Sequence, residues 1–96
     1  MIRSYSVYIL RCADNSFYTG VTRDIQKRFQ QHCDKRDGIS YTARRLPVTL
    51  VFVQEYAHIR DAIAMEKKIK GWRREKKIAL IEGRYKDLPG LSRKKM

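Results

Sequence analysis

The spacing of apolar and polar positions changes several times along the chain, and each change marks an element. Ser4-Tyr5-Ser6-Val7-Tyr8-Ile9-Leu10 is rich in β-branched and aromatic residues and predicts a strand. Ala13-Asp14-Asn15-Ser16 is turn chemistry, and a second strand-like run from Phe17 to Val21 completes an expected antiparallel hairpin. Thr22 is placed to cap a helix, with Asp24 in the first turn where the helix dipole favours negative charge. That helix is expected to reach about Cys33, with Ile25 and Phe29 on its apolar side. Asp34 to Arg45 has little apolar content, contains Gly38 and ends in Arg44-Arg45, the pattern of a basic loop. Val48-Thr49-Leu50-Val51-Phe52-Val53 is the most strand-like run and continues to about Glu55. Ile59 to Trp72 predicts a helix with Ala62, Ile63, Met65, Ile69 and Trp72 as apolar positions, ended by Gly71. A short helix from Arg74 to Glu82 follows, carrying Ile78, Leu80 and Ile81. The order β-β-α-β-α-α predicts a small α/β (α+β) domain over residues 1–83, with residues 84–96 as a basic tail.

Ninety-six residues allow one domain, whose core can bury somewhat more than ~60% of the unfolded surface. The longest apolar stretch, Val48 to Val53, is far below the ~18 residues of a membrane span, and no basic-then-apolar leader opens the chain. Cys12 and Cys33 form no CxxC, and with His32 and His58 they lack zinc-site spacing, so two ordinary thiols in a reducing cytoplasm are expected. Charge changes the picture more. Twenty-two Lys and Arg against ten Asp and Glu give +12, and residues 67–96 alone carry +9. Such an excess calls for a polyanionic partner, and nucleic acid is the commonest, because each neutralised phosphate releases a condensed counterion. A solvated basic face, or an adaptor docking an acidic protein, is the plainer alternative.

Several polar residues break the apolar pattern. Taking Ile59 as the origin of its helical wheel, Ala62 falls at ~300°, Ile63 at ~40° and Ile69 at ~280°, while Glu66 falls at ~340°, inside that stripe. A buried carboxylate needs a partner, which could be a nearby Arg or Lys or a metal ion. On the first helix Arg28 and His32 are an i, i+4 pair turned towards the apolar side of Ile25 and Phe29. Arg28 could simply snorkel there, and His32 could be a hydrogen-bonded core histidine. Tyr18 shares a strand face with Gly20, which leaves space for close approach of another group.

Val7-Tyr8-Ile9, then Tyr18-Thr19-Gly20, then Arg28, His32 and a distant helical Glu66 resemble the GIY-YIG nuclease superfamily, across about residues 4–83. Each triplet alone is a weak signal; the ordered set is far stronger, with Tyr18 ten positions after Tyr8 and Arg28 ten positions after Tyr18. The likeness is to the small stand-alone bacterial branch. It implies a central three-stranded antiparallel sheet flanked by helices, and hydrolysis of nucleic-acid phosphodiesters with one divalent ion, Mg²⁺ or Mn²⁺. Position by position, Glu66 resembles the metal-binding carboxylate and Arg28 the phosphate-binding arginine. Tyr8 matches the tyrosine thought to activate water, and Tyr18 and His32 match its hydrogen-bonded helpers. Ser6 stands in place of the first motif glycine and Thr19 in place of the second motif isoleucine. The asparagine found after the metal-binding helix in many members has no counterpart in Ile81 to Lys86, and the only Asn is Asn15.

The chemistry accounts for these residue types. A divalent ion on one carboxylate and several waters can polarise the phosphate, and a planar arginine fork can hold two phosphate oxygens. An unperturbed tyrosine, with a pKa near ~10, is phenolate only about one time in a thousand at pH 7, so Tyr8 as a base needs cationic neighbours or a relay through His32. Arg23, Lys27, Arg44, Arg45, Lys67, Lys70, Arg73, Arg74, Lys76 and Lys77 are the expected backbone-tracking cations, with Trp72, Tyr41 and Tyr85 as stacking candidates. The leading expectation is a cytoplasmic, metal-dependent endonuclease acting on DNA, with structure rather than strict sequence preference and no obligate protein partner or membrane. The competing one is a non-catalytic basic DNA/RNA-binding module on the same fold.

Overall fold

The computed structural model describes residues 4–34 and 40–84. β1 (Tyr5–Arg11) and β2 (Phe17–Thr22) form the expected hairpin, followed by α1 (Ile25–Cys33), α2 (Ser40–Ala43), β3 (Thr49–Tyr56), α3 (Ile59–Lys70) and α4 (Arg74–Ile81). The sheet is antiparallel throughout, in the order β2-β1-β3. The tail expected over residues 84–96 lies outside the described residues except for Arg84, and so does Tyr85.

β1 is the central strand, and its alternation divides the core in two. Val7 and Ile9 face one layer with Ala62 and Ile69 of α3 and Leu80 of α4, all at 3% exposure or less. Tyr8 and Leu10 face the other layer, against Ile25 and Phe29 of α1 and Tyr41 of α2. A sheet covered on both faces leaves its middle strand no wet side, so Ser6 through Leu10 are all buried. Between Ile9 and Leu10 the pairing with β3 slips, Phe52 standing opposite Ile9 and Leu50 opposite Leu10. The extra residue, Val51, is a bulge that lets Phe52 and Leu50 serve opposite layers.

Three local readings are corrected. The α1 cap is Asp24, whose side chain accepts from the Lys27 amide, rather than Thr22. Thr22 is the last residue of β2, paired with Ser6, and strand pairing takes precedence over its capping propensity. The basic loop contains the one-turn helix α2. α3 ends at Lys70, with Gly71 as its C-cap. α4 closes in a Schellman arrangement, the Arg84 amide donating to Ala79 O and the Gly83 amide to Leu80 O. Gly83 takes φ +76° there, a conformation that costs glycine little.

Candidate active site

Tyr8 lies at the centre of β1 with no accessible surface and stands opposite Gly20 of β2. A Cβ on residue 20 would sit 2.5 Å from the Tyr8 hydroxyl oxygen and 2.6 Å from Cζ. The space beside Tyr18 expected from Gly20 is therefore filled by the Tyr8 phenol. The two tyrosine rings are 6.3 Å apart, and the Tyr18 ring also packs 4.9 Å from the His32 ring and 5.6 Å from Tyr41.

His32 comes from the last turn of α1 and is fully buried. Its Nε2 is 2.8 Å from the Tyr8 hydroxyl and its Nδ1 is 2.9 Å from Thr42 Oγ1. Thr42, also fully buried, is held there by α2. Burial, reinforced by the charge of Arg28, holds the His32 pKa at about 4, below its ordinary 6.5. The imidazole is neutral at pH 7, so one ring nitrogen donates and the other accepts, linking Tyr8, His32 and Thr42 in one chain. Burial, with the neighbouring Tyr18, pushes Tyr8 up to about 12. Arg28, one turn before His32, opposes that shift by its positive charge, while Glu66 adds to it.

Glu66 reaches this neighbourhood from the opposite layer, and its helix is rotated relative to the sequence reading. Ile59 and Ile63 stay 40% and 39% exposed, whereas Ala62 and Ile69 are fully buried. The buried stripe of α3 is thus shifted towards Ala62 and Ile69, and Glu66 lies on its margin with 15% of its side chain exposed. Its Oε2 pairs with Lys70 Nζ at 2.5 Å, the Lys partner weighed above. One carboxylate backed by water suits Mg²⁺, which retains several waters, and no cluster of three or more His, Cys, Asp or Glu occurs among the described residues. The donor set therefore fits a single carboxylate-held divalent ion.

The structure thus brings Tyr8, Tyr18, Arg28 and His32 together, with Glu66 within electrostatic range. Thr42 was missed, because nothing in a polar loop signals that one threonine turns inward. The basic candidates divide. Arg23, Lys27, Arg44, Lys67 and Arg73 are exposed, and Lys70 is held by Glu66. Arg45 pairs with Asp14 at 3.1 Å and lies 3.9 Å over the Tyr41 ring. Arg74 lies 4.5 Å over Phe17 and donates to Asn15 O at 2.6 Å, fastening α4 to the hairpin turn. Lys76 is 8% exposed with Nζ 3.9 Å over the Trp72 ring, and Lys77 is half-buried; burial lowers the pKa of both.

A family model described as the GIY-YIG catalytic domain matches residues 4–79. The chain belongs to the GIY-YIG family. Within it, UPF0213 proteins of Staphylococcus aureus strains Mu50 and N315 are 40% identical over 81 residues, spanning 84% of this chain and 98% of theirs. The solution NMR structure of the UPF0213 protein from Bacillus halodurans is 34% identical, with a TM-score of 0.55 over 95% of this chain and 99% of that one. The residues that resemble the two halves of the motif, Ser6-Val7-Tyr8 and Tyr18-Thr19-Gly20, lie on the paired strands β1 and β2. Among the described residues no helix is long and apolar enough to cross a membrane.

Proposed function

We propose that this GIY-YIG domain is a cytoplasmic endonuclease that hydrolyses phosphodiesters of DNA with one divalent ion, Mg²⁺ or Mn²⁺, selecting strand structure over strict sequence. The observation that supports it is the Tyr8–His32–Thr42 hydrogen-bond chain meeting the Arg28 guanidinium, with the Glu66 charge acting on the same Tyr8 hydroxyl.

Arg28 binds the scissile phosphate through its planar fork. Its positive charge acts on the Tyr8 oxygen in the resting arrangement, so a phosphate bound there would lie beside the Tyr8 hydroxyl. Tyr8 then accepts a hydrogen bond from the attacking water while His32 Nε2 accepts from Tyr8, and Thr42 fixes the ring that requires. Tyr18 packs against His32 and limits its rotation. Glu66 would hold the divalent ion, with Lys70 yielding to it. When bound, that ion supplies Lewis-acid polarisation of the phosphate and a more acidic water. Exposed Lys67 and Arg73 carry the flanking backbone.

The non-catalytic reading also has a specific observation behind it: Glu66 is already paired with Lys70, and Tyr8 is strongly protonated. One experiment separates the two. Purified protein is incubated with single-stranded, duplex and branched DNA and with RNA, in Mg²⁺, Mn²⁺ or EDTA, beside Glu66→Gln, Arg28→Ala and Tyr8→Phe. The expected result is metal-dependent cleavage that falls roughly 10²-fold or more in Glu66→Gln and Arg28→Ala, with DNA binding retained. Binding without turnover in any metal, or equal cleavage by wild type and Glu66→Gln, removes the nuclease assignment.

A further inference from the structure

A cleft of about 350 Å³ opens between α1 and the start of α3, lined by Tyr5, Thr22, Arg23, Arg28 and Ile59 among others. It includes the phosphate-binding candidate Arg28, yet most of its wall has no part in the chemistry above. Tyr5 is half-buried, with the exposed Arg23 guanidinium 5.5 Å over its ring. Arg23 makes no ion pair among the described residues. Ile59 is 40% exposed, and Ile63, one turn on, is 39% exposed. On the helical wheel Ile59, Ile63 and Glu66 form one stripe, so two uncovered isoleucines lead from this cleft directly to the candidate metal carboxylate. Seven residues of helix separate Ile59 from Glu66 by about 10 Å, a distance that one nucleotide laid along the helix can bridge.

We infer that this cleft is a nucleobase subsite: it takes the base of the nucleotide adjoining the scissile phosphate, against the Tyr5 ring and the Ile59 side chain, with Arg23 closing over it. The inference rests on the nuclease reading for the position of the phosphate. A base is flat, aromatic and joined to an anion, and this cleft offers a ring, an aliphatic wall and two guanidinium groups, one of them Arg28. A base stacked in a duplex cannot enter, so the subsite favours single strands, flaps and frayed ends, which names a physical basis for structure preference. The Asp24 carboxylate also lines the wall, where it caps α1 by accepting from the Lys27 amide.

The test uses two single-stranded pentanucleotides in EDTA, one with 2-aminopurine at each position and one abasic throughout. Wild type should quench the 2-aminopurine fluorescence and bind the base-bearing strand roughly five- to tenfold more tightly than the abasic one. Tyr5→Leu, which keeps the apolar packing, and Ile59→Ser, at an exposed position, should each abolish that preference and leave abasic binding unchanged. Equal binding of both strands by wild type overturns the subsite, as does a preference that survives in both variants. Base-dependent binding without cleavage in any metal removes the nuclease reading and keeps the subsite. Metal-dependent cleavage without base preference does the reverse, and failure to bind either strand removes the subsite.

Discussion

Gly20→Ala is the sharpest probe of how the tyrosine cluster is built. Residue 20 is a strand position with no positive φ, so its backbone accepts any L side chain, and in an open strand alanine would be preferred to glycine by about 0.5–1 kcal/mol. What forbids the methyl is Tyr8. Non-bonded carbons rest at ~3.5–4.0 Å, and the new Cβ would meet Tyr8 Cζ at 2.6 Å, about 1 Å too close. Tyr8 cannot retreat easily. It is fully buried, its ring is flanked by Tyr18 and His32, and its hydroxyl is held by His32 Nε2 at 2.8 Å. Overpacking of this kind costs about 1–3 kcal/mol, and displacing the hydroxyl from His32 adds about 1 kcal/mol. Set against the strand preference, the net expectation is a loss of about 2–3 kcal/mol.

A double-mutant cycle with Tyr8→Leu isolates the contact, because leucine has no atoms at the Cζ and hydroxyl positions. Urea unfolding followed by far-UV circular dichroism gives the four stabilities. Gly20→Ala should destabilise wild type by about 2–3 kcal/mol, yet be neutral or stabilising in the Tyr8→Leu background, a coupling of at least about 2 kcal/mol. The same penalty in both backgrounds would show that Gly20 serves its own backbone, and the steric account of Tyr8 placement would fall.

The remaining expectations concern the polar chain and its neighbours. His32 has a folded pKa of about 4 against about 6.5 unfolded, so between those values the unfolded chain binds a proton that the native chain does not. Its contribution is full above pH ~6.5 and is lost as pH falls towards 4, by up to about 3 kcal/mol; urea midpoints across that window should fall more steeply in wild type than in His32→Gln, and parallel profiles would refute it. Thr42→Val leaves His32 Nδ1 facing an apolar methyl and should cost about 1–3 kcal/mol in the same assay, with Thr42→Ser close to wild type; an unchanged Thr42→Val midpoint counts against the chain. Lys70→Met removes the cation from Glu66 while changing stability by less than about 1 kcal/mol, since Lys70 is more than half exposed. The Mg²⁺ concentration for half-maximal cleavage should drop several-fold, and a rise would mean that Lys70 supports the metal site rather than competing with it.

What sequence pattern reveals here, and what it hides, follows from how far each feature depends on distant contacts. The hairpin, β3 and the two long helices are local: β-branched runs, turn residues and a 3.6-residue period carry them. The grouping of Arg28 with His32 is equally local, since four residues on a helix share a side. Glu66 was visible as an anomaly, but the wheel weighted Ile59 and Ile63 as core, and only docking of α3 on Ala62 and Ile69 shows that they face outwards. Arg45 and Arg74 read as phosphate contacts by charge alone, whereas Asp14 and Phe17, far away in sequence, engage them in the fold. Thr42 lacks any local signature because its role is set by the position of the His32 ring.

The energetics of the Tyr8 proton decide how this cluster can work. With a pKa of about 12, forming the phenolate at pH 7 costs about 7 kcal/mol, and protonating His32, at about 4, costs about 4 kcal/mol. Mutual attraction of the two resulting ions, 2.8 Å apart at an effective dielectric constant of ~20, returns about 6 kcal/mol. A transferred proton therefore still lies several kcal/mol uphill, and the neutral chain dominates at rest. Tyr8 is accordingly better suited to orienting a water than to ionising it, and its rigid connection through His32 to Thr42 serves that purpose. Charge for the proton loss has to come from the phosphate side, where Arg28 and Glu66 stand. In the proposed nuclease, Tyr8→Phe should then be the mildest of the three variants and Glu66→Gln the most severe, because one loses alignment and the other loses the carboxylate that would hold the cation.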